Sequence, residues 1–290
     1  PIAVGSVSDT NILRKICSDL YGSLWSSHFA IRPAKLFDGV EQRLTILIGC
    51  HGPSDGNWYT SKYHQWFSEE RSELFSKIIL VSMPPRLSEE SPWPKIGSVT
   101  EARILEKLRI FEGSPTHLLL TDSSKWIMYF HRTPGYWIRM LDFLPFFESP
   151  AGDRSVHHIR ELYATSEAAR AKVAGLGSSS LYFWWFFAIG NCRNLTKGDL
   201  LGFPAPHLDA DEATEIARLF HALMKSYKDN SSIKTRAKAS YQEFDWVAAK
   251  PAVDAMDVFF AKVFGLTDEE LDFVINYDIK VRVGDVAEEI

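Results

Sequence analysis

One short segment of the chain combines side chains that could contact nucleic acid. Residues 129–139, YFHRTPGYWIR, hold an imidazole and two guanidinium groups for phosphates or base edges, and rings that could stack on a base. The residues concerned are His131, Arg132, Tyr136, Trp137 and Arg139. Thr-Pro-Gly at 133–135 predicts two strands joined by a turn. A β-hairpin with inward rings and solvated charges fits the pattern too; we favour it for the rings and leave the charged residues open.

The residues that follow an aromatic-rich stretch form a second candidate contact. The stretch LYFWWFFAIG, residues 181–190, would be apolar on nearly all sides of a helix, so we favour a buried helix over a base-stacking platform. It is shorter than the roughly 20 apolar residues that a membrane-spanning helix requires. Because surface loops on a rigid scaffold carry contacts, we expect Arg193, Asn194 and Lys197, just past this helix, to reach DNA.

The charge of the chain is unevenly distributed. The formal net charge is −5, but residues 251–290 hold ten acidic and three basic residues, so they contribute −7 and residues 1–250 carry +2. The acidic total therefore does not exclude a nucleic-acid partner. Residues 225–238, KSYKDNSSIKTRAK, predict a flexible basic loop, for which a solvated linker is slightly favoured over phosphate contact.

Composition and cysteine usage place the chain among ordinary globular proteins. Charged residues make up 24% and hydrophobic residues 46%. Cys17, Cys50 and Cys192 are odd in number and far apart, which indicates reduced thiols rather than disulfides or a zinc site. The N-terminal residues lack the pattern of a secretion signal, so we expect a cytoplasmic protein. Pro1 in place of Met suggests a processed chain or an excised piece.

Motifs of catalysis and cofactor binding are missing from the sequence. It has no G-x-x-x-x-G-K-[ST] phosphate loop, no G-x-S-x-G elbow, no H-E-x-x-H and no C-x-x-C. MPPR at 83–86 half resembles the [Asn/Asp/Ser]-Pro-Pro-[aromatic] motif with which amino-methyltransferases hold a flipped base, but Met83 is a poor hydrogen-bond acceptor and Arg86 is not aromatic. We interpret it as part of a linker, and predict no catalytic, cofactor-binding or metal-binding residues.

Three zones are expected to position the candidate contacts. The first, to about residue 85, alternates strand-like SHFAIR, RLTILIG and KIILVSM with helical or looped stretches such as SKYHQWFSEERSELF, which indicates a layered α/β arrangement. The proline-rich residues 83–97 are the best linker candidate.

The second and third zones each begin with recognisable helix signals. From 95 to 206 we expect a helix starting at a Ser98–Glu101 capping box, strands at THLLLTD, KWIMYFHR and GYWIRMLDF, and a helix at SEAARAKVAGL. Residues from 207 predict helices at DADEATEIARLFHALMKSY, VDAMDVFFAKVFG and TDEELDFVINYDI, the last with a Thr267–Glu270 capping box after Gly265.

Four segments together resemble one protein family. They are FAIRPAKLFDGVEQRLTILIG, YTSKYHQWFSEER, GLGSSSLYFWWFFAIGNCRNLTKGDL and GLTDEELDFVINYDIKVRVG, beginning at residues 29, 59, 175 and 265. In this order they look like landmarks of the C-terminal half of bacterial N6-adenine DNA methyltransferases of restriction-modification and phage-defence systems, including fused methyltransferase-endonucleases. The third segment departs mildly from the family at 175–180, where L-N-S-S-L-F-Y-W is usual.

The resemblance implies a fold and a function. The fold class would be α/β (α+β): methyltransferase-like strands to residue 85, a mixed target-recognition domain over 95–206, and a helical end over 207–290. The front-half glycine motif and the catalytic Pro-Pro motif are missing, so this chain would not methylate alone. Its implied partners are double-stranded DNA and an N-terminal catalytic half, in the same or a separate chain. S-adenosylmethionine would bind only in the complete enzyme.

Two other functions remain open at the level of sequence. A catalytically silent interaction protein would use the acidic helical end to bind another subunit. A nuclease-associated role ranks lower, because no convincing D…E-x-K or H-N-H spacing is present.

Overall fold

The computed structural model describes residues 2–5, 11–53, 58–83, 91–111, 113–150, 158–236 and 238–283. The chain is a mixed α/β protein that divides into two compact units. Unit 1 consists of Pro1–Glu106 and Trp184–Cys192, and unit 2 of Lys107–Phe183 and Arg193–Ile290. Residues from 207 onward share unit 2 with most of residues 95–206.

Unit 1 contains a four-stranded mixed sheet. Its strands are β1 (Tyr21–Phe29), β2 (Leu44–His51), β3 (Trp58–His64) and β4 (Val81–Ser82), and its helices are α1 (Asn11–Leu20) and most of α2 (Val99–Ile110). The strand order is β2-β1-β3-β4, with β1 antiparallel to β2 and parallel to β3. Side chains of β1 alternate between buried and half-buried, the period of two of a strand with one covered face. The sequence predicted a helix or loop at 61–75. Residues 61–64 instead belong to strand β3, so the prediction was wrong for them.

A histidine on the covered face of β1, His28, is fully buried and hydrogen-bonded within the core. The Nδ1 atom of His28 lies 3.0 Å from Thr45 Oγ1, and its Nε2 atom lies 3.2 Å from Thr60 Oγ1. The Thr60 hydroxyl donates to the Pro94 carbonyl oxygen at 2.7 Å, so it accepts a hydrogen bond from His28 Nε2–H. Burial keeps the pKa of His28 well below its usual range, and the charge of Lys95 acts in the same direction. The imidazole is therefore neutral.

Unit 2 contains two small antiparallel sheets and a group of helices. The strands are β5 (Leu119–Leu120), β6 (Ile127–His131), β7 (Met140–Leu141), β8 (Phe147–Glu148), β9 (Ile159–Ala164), β10 (Ser231–Arg236) and β11 (Ala239–Phe244). The helices are α3 (Glu167–Ser178), the start of α4 (Ser180–Ile189), α5 (Lys197–Leu201), α6 (Ala210–Asp229), α7 (Trp246–Phe264), α8 (Asp268–Ile275) and α9 (Ile279–Val283). The sheets have the orders β5-β9-β6-β7 and β10-β11-β8.

Helix signals read from the sequence are confirmed where caps mark them. Ser98 Oγ accepts from the backbone N–H of Glu101 at 3.1 Å, and the Glu101 carboxylate accepts from the N–H of Gly97 at 2.7 Å. The Thr267–Glu270 capping box starts α8 as predicted. Gly265 ends α7 with a left-handed φ of 66°, a conformation that glycine adopts without strain.

The aromatic-rich stretch is the buried helix that was predicted. Every side chain from residue 181 to residue 188 of α4 is at most 7% exposed. The N-terminal end of α4 lies in unit 2, where Asp257 Oδ1 accepts from the backbone N–H of Ser180 at 2.7 Å. The C-terminal end lies in unit 1, where the ammonium of Lys95 donates to the Gly190 carbonyl oxygen at 2.9 Å. The side chains of Asp257 and Lys95 thus satisfy backbone groups at the two ends, where a helix has no partners of its own.

Three expectations about connecting segments need correction. Strands β10 at 231–236 and β11 at 239–244 pair as a β-hairpin inside the region predicted to be helical. Within the run 225–238, predicted to be a flexible basic loop, residues 225–229 are the last turn of α6 and residues 231–236 form β10, while residue 237 lies outside the described part. Within the predicted linker 83–97, residues 93–96 are buried, with Trp93 fully so; residues 84–90 lie outside the described part.

Candidate nucleic-acid interface

The loop that follows β6 is longer than the predicted tight turn. Strands β6 and β7 pair through Tyr129 with Leu141 and Phe130 with Met140, so residues 132–139 all lie in the connection. Within this β6–β7 loop, Tyr136 is exposed. The indole ring of Trp137 instead stacks on that of Trp246 with an interplanar angle of 18°. One of the two rings therefore faces solvent, and the other packs inside as favoured.

The structure brings the two predicted contact segments together. The backbone N–H of Leu195 donates to the Arg132 carbonyl oxygen at 2.6 Å. The Thr133 hydroxyl donates to Asn194 Oδ1 at 3.3 Å, across 61 positions of sequence. These bonds join the beginning of the β6–β7 loop to residues 193–195, the segment that the sequence assigned to a separate surface contact. We refer to the two joined segments as the paired-loop surface.

The predicted contact residues of the second segment differ in exposure. Arg193 is exposed, and Asn194 is half-buried by its place beside Thr133. Lys197 is exposed as the first residue of α5, whose start is fixed by a capping box between Thr196 and Asp199. The capping box orders the backbone that carries Lys197, so this cation sits on a defined helix start rather than on an open loop.

Arg139 differs from the other predicted residues because it packs inside unit 2. Its guanidinium carbon lies 5.2 Å from the centre of the Phe244 ring, a cation–π distance. Burial lowers the pKa of Arg139, while Tyr227 and Glu243 act in the opposite direction. Packing against the hairpin strand restricts the access of this guanidinium to a phosphate.

A pocket that the sequence did not indicate lies beside the paired-loop surface. It has a volume of about 210 Å³ and is lined by residues from the ends of β6 and β9, from β8 with the residues before it, and from β11. The lining includes His131, Phe146, Phe147, His158, Tyr241 and Gln242. Thr133 lines it too, so the pocket and the paired-loop surface share this residue.

The hairpin supplies further cations on the face that carries Tyr241. In the antiparallel pair, Lys234 is directly opposite Tyr241, and Arg236 is opposite Ala239. Residues that face each other across a ladder share a face, so both cations lie on the same face of the hairpin as Tyr241. Lys234 Nζ is 3.8 Å from the Glu243 carboxylate, a distance typical of a weak exposed ion pair.

The residues that sequence reasoning missed are those placed by strand pairing. His158 was not among the residues predicted from the sequence; its neighbour His157 lies outside the described residues. Tyr241 and Phe147 meet only because β11 pairs with β8 across the fold. In YQEF at 241–244 the two rings are three residues apart, so no alternation marked this segment as a strand.

The pocket lining combines imidazoles with aromatic rings. Within the described ranges, no group of three or more His, Cys, Asp or Glu side chains is placed to hold a metal ion. None of the described helices combines the length and apolarity that a membrane crossing requires. Searches with models of known protein families and among curated proteins gave no match.

Proposed function

We propose that the chain is the DNA target-recognition portion of an N6-adenine DNA methyltransferase of a restriction-modification or phage-defence system. The observation that carries the proposal is the paired-loop surface, where two segments chosen separately for their contact chemistry are joined by hydrogen bonds. The order of the four landmark segments in the sequence supports the same assignment. Unit 2 is then the part that contacts duplex DNA.

The cations of unit 2 divide into two roles under this proposal. Exposed Arg193 and Lys197 contact phosphates, which position the protein without reading sequence. Arg132 lies in the β6–β7 segment of the paired-loop surface, between the pocket-lining residues His131 and Thr133, and reads a base edge. His131 and Tyr136 add a polar and a stacking contact, and Asn194 holds the loop through Thr133.

Methyl transfer is assigned to an N-terminal catalytic half, in the same or a separate chain, which binds S-adenosylmethionine. The isolated chain should therefore neither bind this cofactor tightly nor methylate DNA, because the motifs that grip the cofactor and the flipped base are missing. Titration calorimetry checks this expectation, and micromolar affinity for S-adenosylmethionine would contradict it.

A second function, a protein-interaction module within a defence complex, is favoured by one feature of unit 1. Helix α1 leaves Ile12, Ile16 and Leu20, spaced four residues apart, exposed by 67%, 45% and 42%. Side chains at this spacing form one helical face, and an apolar face of this kind marks a surface that a protein partner covers. The two functions are compatible if the partner is the catalytic half.

The proposed function is tested by reversing one charge at the paired-loop surface. Arg193→Glu should weaken duplex binding at least about tenfold at low salt, because a phosphate contact becomes a repulsion. Lys262→Glu, an exposed lysine of α7 outside the paired-loop surface, is the matched control and should have little effect. Equal binding by both variants, or a stable protein complex without DNA affinity, would overturn the assignment to DNA recognition.

A further inference from the structure

The pocket of unit 2 has the size of a site for one planar ring system. Its volume of about 210 Å³ is below the roughly 300–1,000 Å³ of pockets that hold drug-sized ligands. A whole nucleotide or a peptide segment would not fit inside it. A single heterocycle fits, with the rest of its molecule left outside.

The apolar part of the lining offers rings against which a heterocycle can stack. Phe146 is 44% exposed, and Phe147 and Tyr241 are half-buried beside it through the β8–β11 pairing. Every nucleobase has a π face, so aromatic side chains bind bases by stacking with little dependence on sequence. An exposed phenylalanine at the mouth of a pocket is suited to that contact.

The polar part of the lining is ordered before any ligand arrives. The Gln242 carboxamide accepts from the backbone N–H of Phe146 at 3.2 Å and donates to the Ser231 hydroxyl at 2.8 Å. These bonds fix the orientation of the amide, which presents an adjacent donor and acceptor of the kind that pairs with a base edge. The imidazoles of His131 and His158 line the same space.

We propose that this pocket accepts one nucleobase that has left the base stack. The inference rests on the proposed function, because it takes DNA as the source of the base; a free nucleotide offers the same chemistry. Leaving the stack is least costly at a mismatch or in a single strand. The pocket therefore selects unpaired bases.

The test uses the full chain and three probes that differ only in the base. A deoxyadenosine hexamer should bind at least about tenfold more tightly than an abasic hexamer of equal length, measured by fluorescence anisotropy. Deoxyadenosine monophosphate separates the two sources: binding weaker than that of the hexamer assigns the base to DNA, and equal binding assigns it to free nucleotides. Both results support a base pocket, whereas equal binding of the abasic and deoxyadenosine hexamers would overturn it.

Two variants of one exposed residue keep the test independent of folding. Phe146→Leu removes the ring and should abolish the preference for the deoxyadenosine hexamer without changing the affinity for the abasic one. Phe146→Tyr keeps the ring and should retain the preference. If Phe146→Leu leaves the preference intact at an unchanged Tm, the pocket is not the base site. Intact duplex binding without any base preference removes this inference alone, whereas loss of all DNA binding removes the proposed function.

Discussion

Guanidinium groups meet two different environments within unit 2. Arg282 is buried, with its guanidinium carbon 4.2 Å from the centre of the Trp137 ring and 4.4 Å from that of Phe183. Its Nη1 atom donates to the Tyr277 carbonyl oxygen at 3.2 Å. Arg193 is exposed on the paired-loop surface. Because both residues are arginines, residue type alone does not separate a structural cation from a binding one; burial does.

The buried region also holds a carboxyl group whose charge is costly. Burial raises the pKa of Asp257 to about 7, although its hydrogen bond with Ser180 and the charge of Arg282 act in the opposite direction. Burial lowers the pKa of Arg282 to about 10, with Asp257 opposing that shift. Arginine therefore stays charged at neutral pH, while the carboxyl group is close to its titration point.

The largest expected effect separates an interior ring from an exposed one. Trp184 is fully buried, and its indole N–H donates to the Glu101 carboxylate at 3.0 Å. Trp184→Ala should lower the free energy of unfolding by about 3–5 kcal/mol, because it leaves a cavity and removes a partner of a buried carboxylate. Thermal or denaturant unfolding measures this loss.

The control for this substitution is the exposed ring of the β6–β7 loop. Tyr136→Ala should change stability by less than about 0.5 kcal/mol, since the residue is on the surface. If Trp184→Ala remains fully folded yet loses DNA affinity, α4 is a stacking surface, and the assignment of Trp184 to core packing is wrong.

The second effect follows from the titration of Asp257. Its folded-state pKa of about 7 is above the unfolded value, so the protonated group contributes stability that is fully present below about pH 4 and is lost as pH rises towards 7. Asp257→Asn cannot ionise and should avoid this loss, which linkage places at about 4 kcal/mol for the whole interval. The measurement is the difference in unfolding free energy between wild type and variant from pH 4 to pH 8. A difference that is constant with pH would show that Asp257 is ionised throughout.

Local sequence signals made the helix ends predictable, whereas strands that depend on pairing between segments were missed. The start of α8 follows from Thr267 and Glu270, three residues apart, and the end of α7 from Gly265. Strand β3 pairs in parallel with β1 through contacts such as Trp25 with Tyr59, which no local pattern specifies. Strand β10 was read as part of a loop at 225–238 because its polar, exposed residues hide the strand period.

The candidate site was predictable in its residue types but not in its assembly. Arg132 and Arg193 were identified from their neighbours in sequence, yet the hydrogen bond that joins their segments spans 61 positions. Arg139 was grouped with them because it is close in sequence, and the packing of its guanidinium on Phe244 depends on a strand far along the chain. The pocket required four separate segments to meet, so only the structure could indicate it.

The third effect tests sequence readout at the exposed region. Arg132→Ala should lose about 1–3 kcal/mol of binding to the preferred site and relax specificity at one position, because a base-edge contact is removed. Its backbone hydrogen bonds with His158 and Leu195 do not depend on the side chain, so the fold should persist. Competition binding with the enzyme reconstituted from both halves gives both quantities. An equal loss for every sequence would assign Arg132 to phosphate instead.

The smallest effect concerns a single phosphate contact. Lys197 is exposed at the start of α5, and its ammonium would neutralise one phosphate without reading a base. Lys197→Ala should weaken binding to all duplex sequences about equally and lower the slope of log K against log salt by about one unit, since one fewer counterion is released. Lys262→Ala, elsewhere in unit 2, should leave the slope unchanged. Titrations at several salt concentrations measure the slope directly. If Lys197→Ala weakens one sequence selectively, this residue reads bases, and the division between positioning and reading residues within the paired-loop surface must be redrawn.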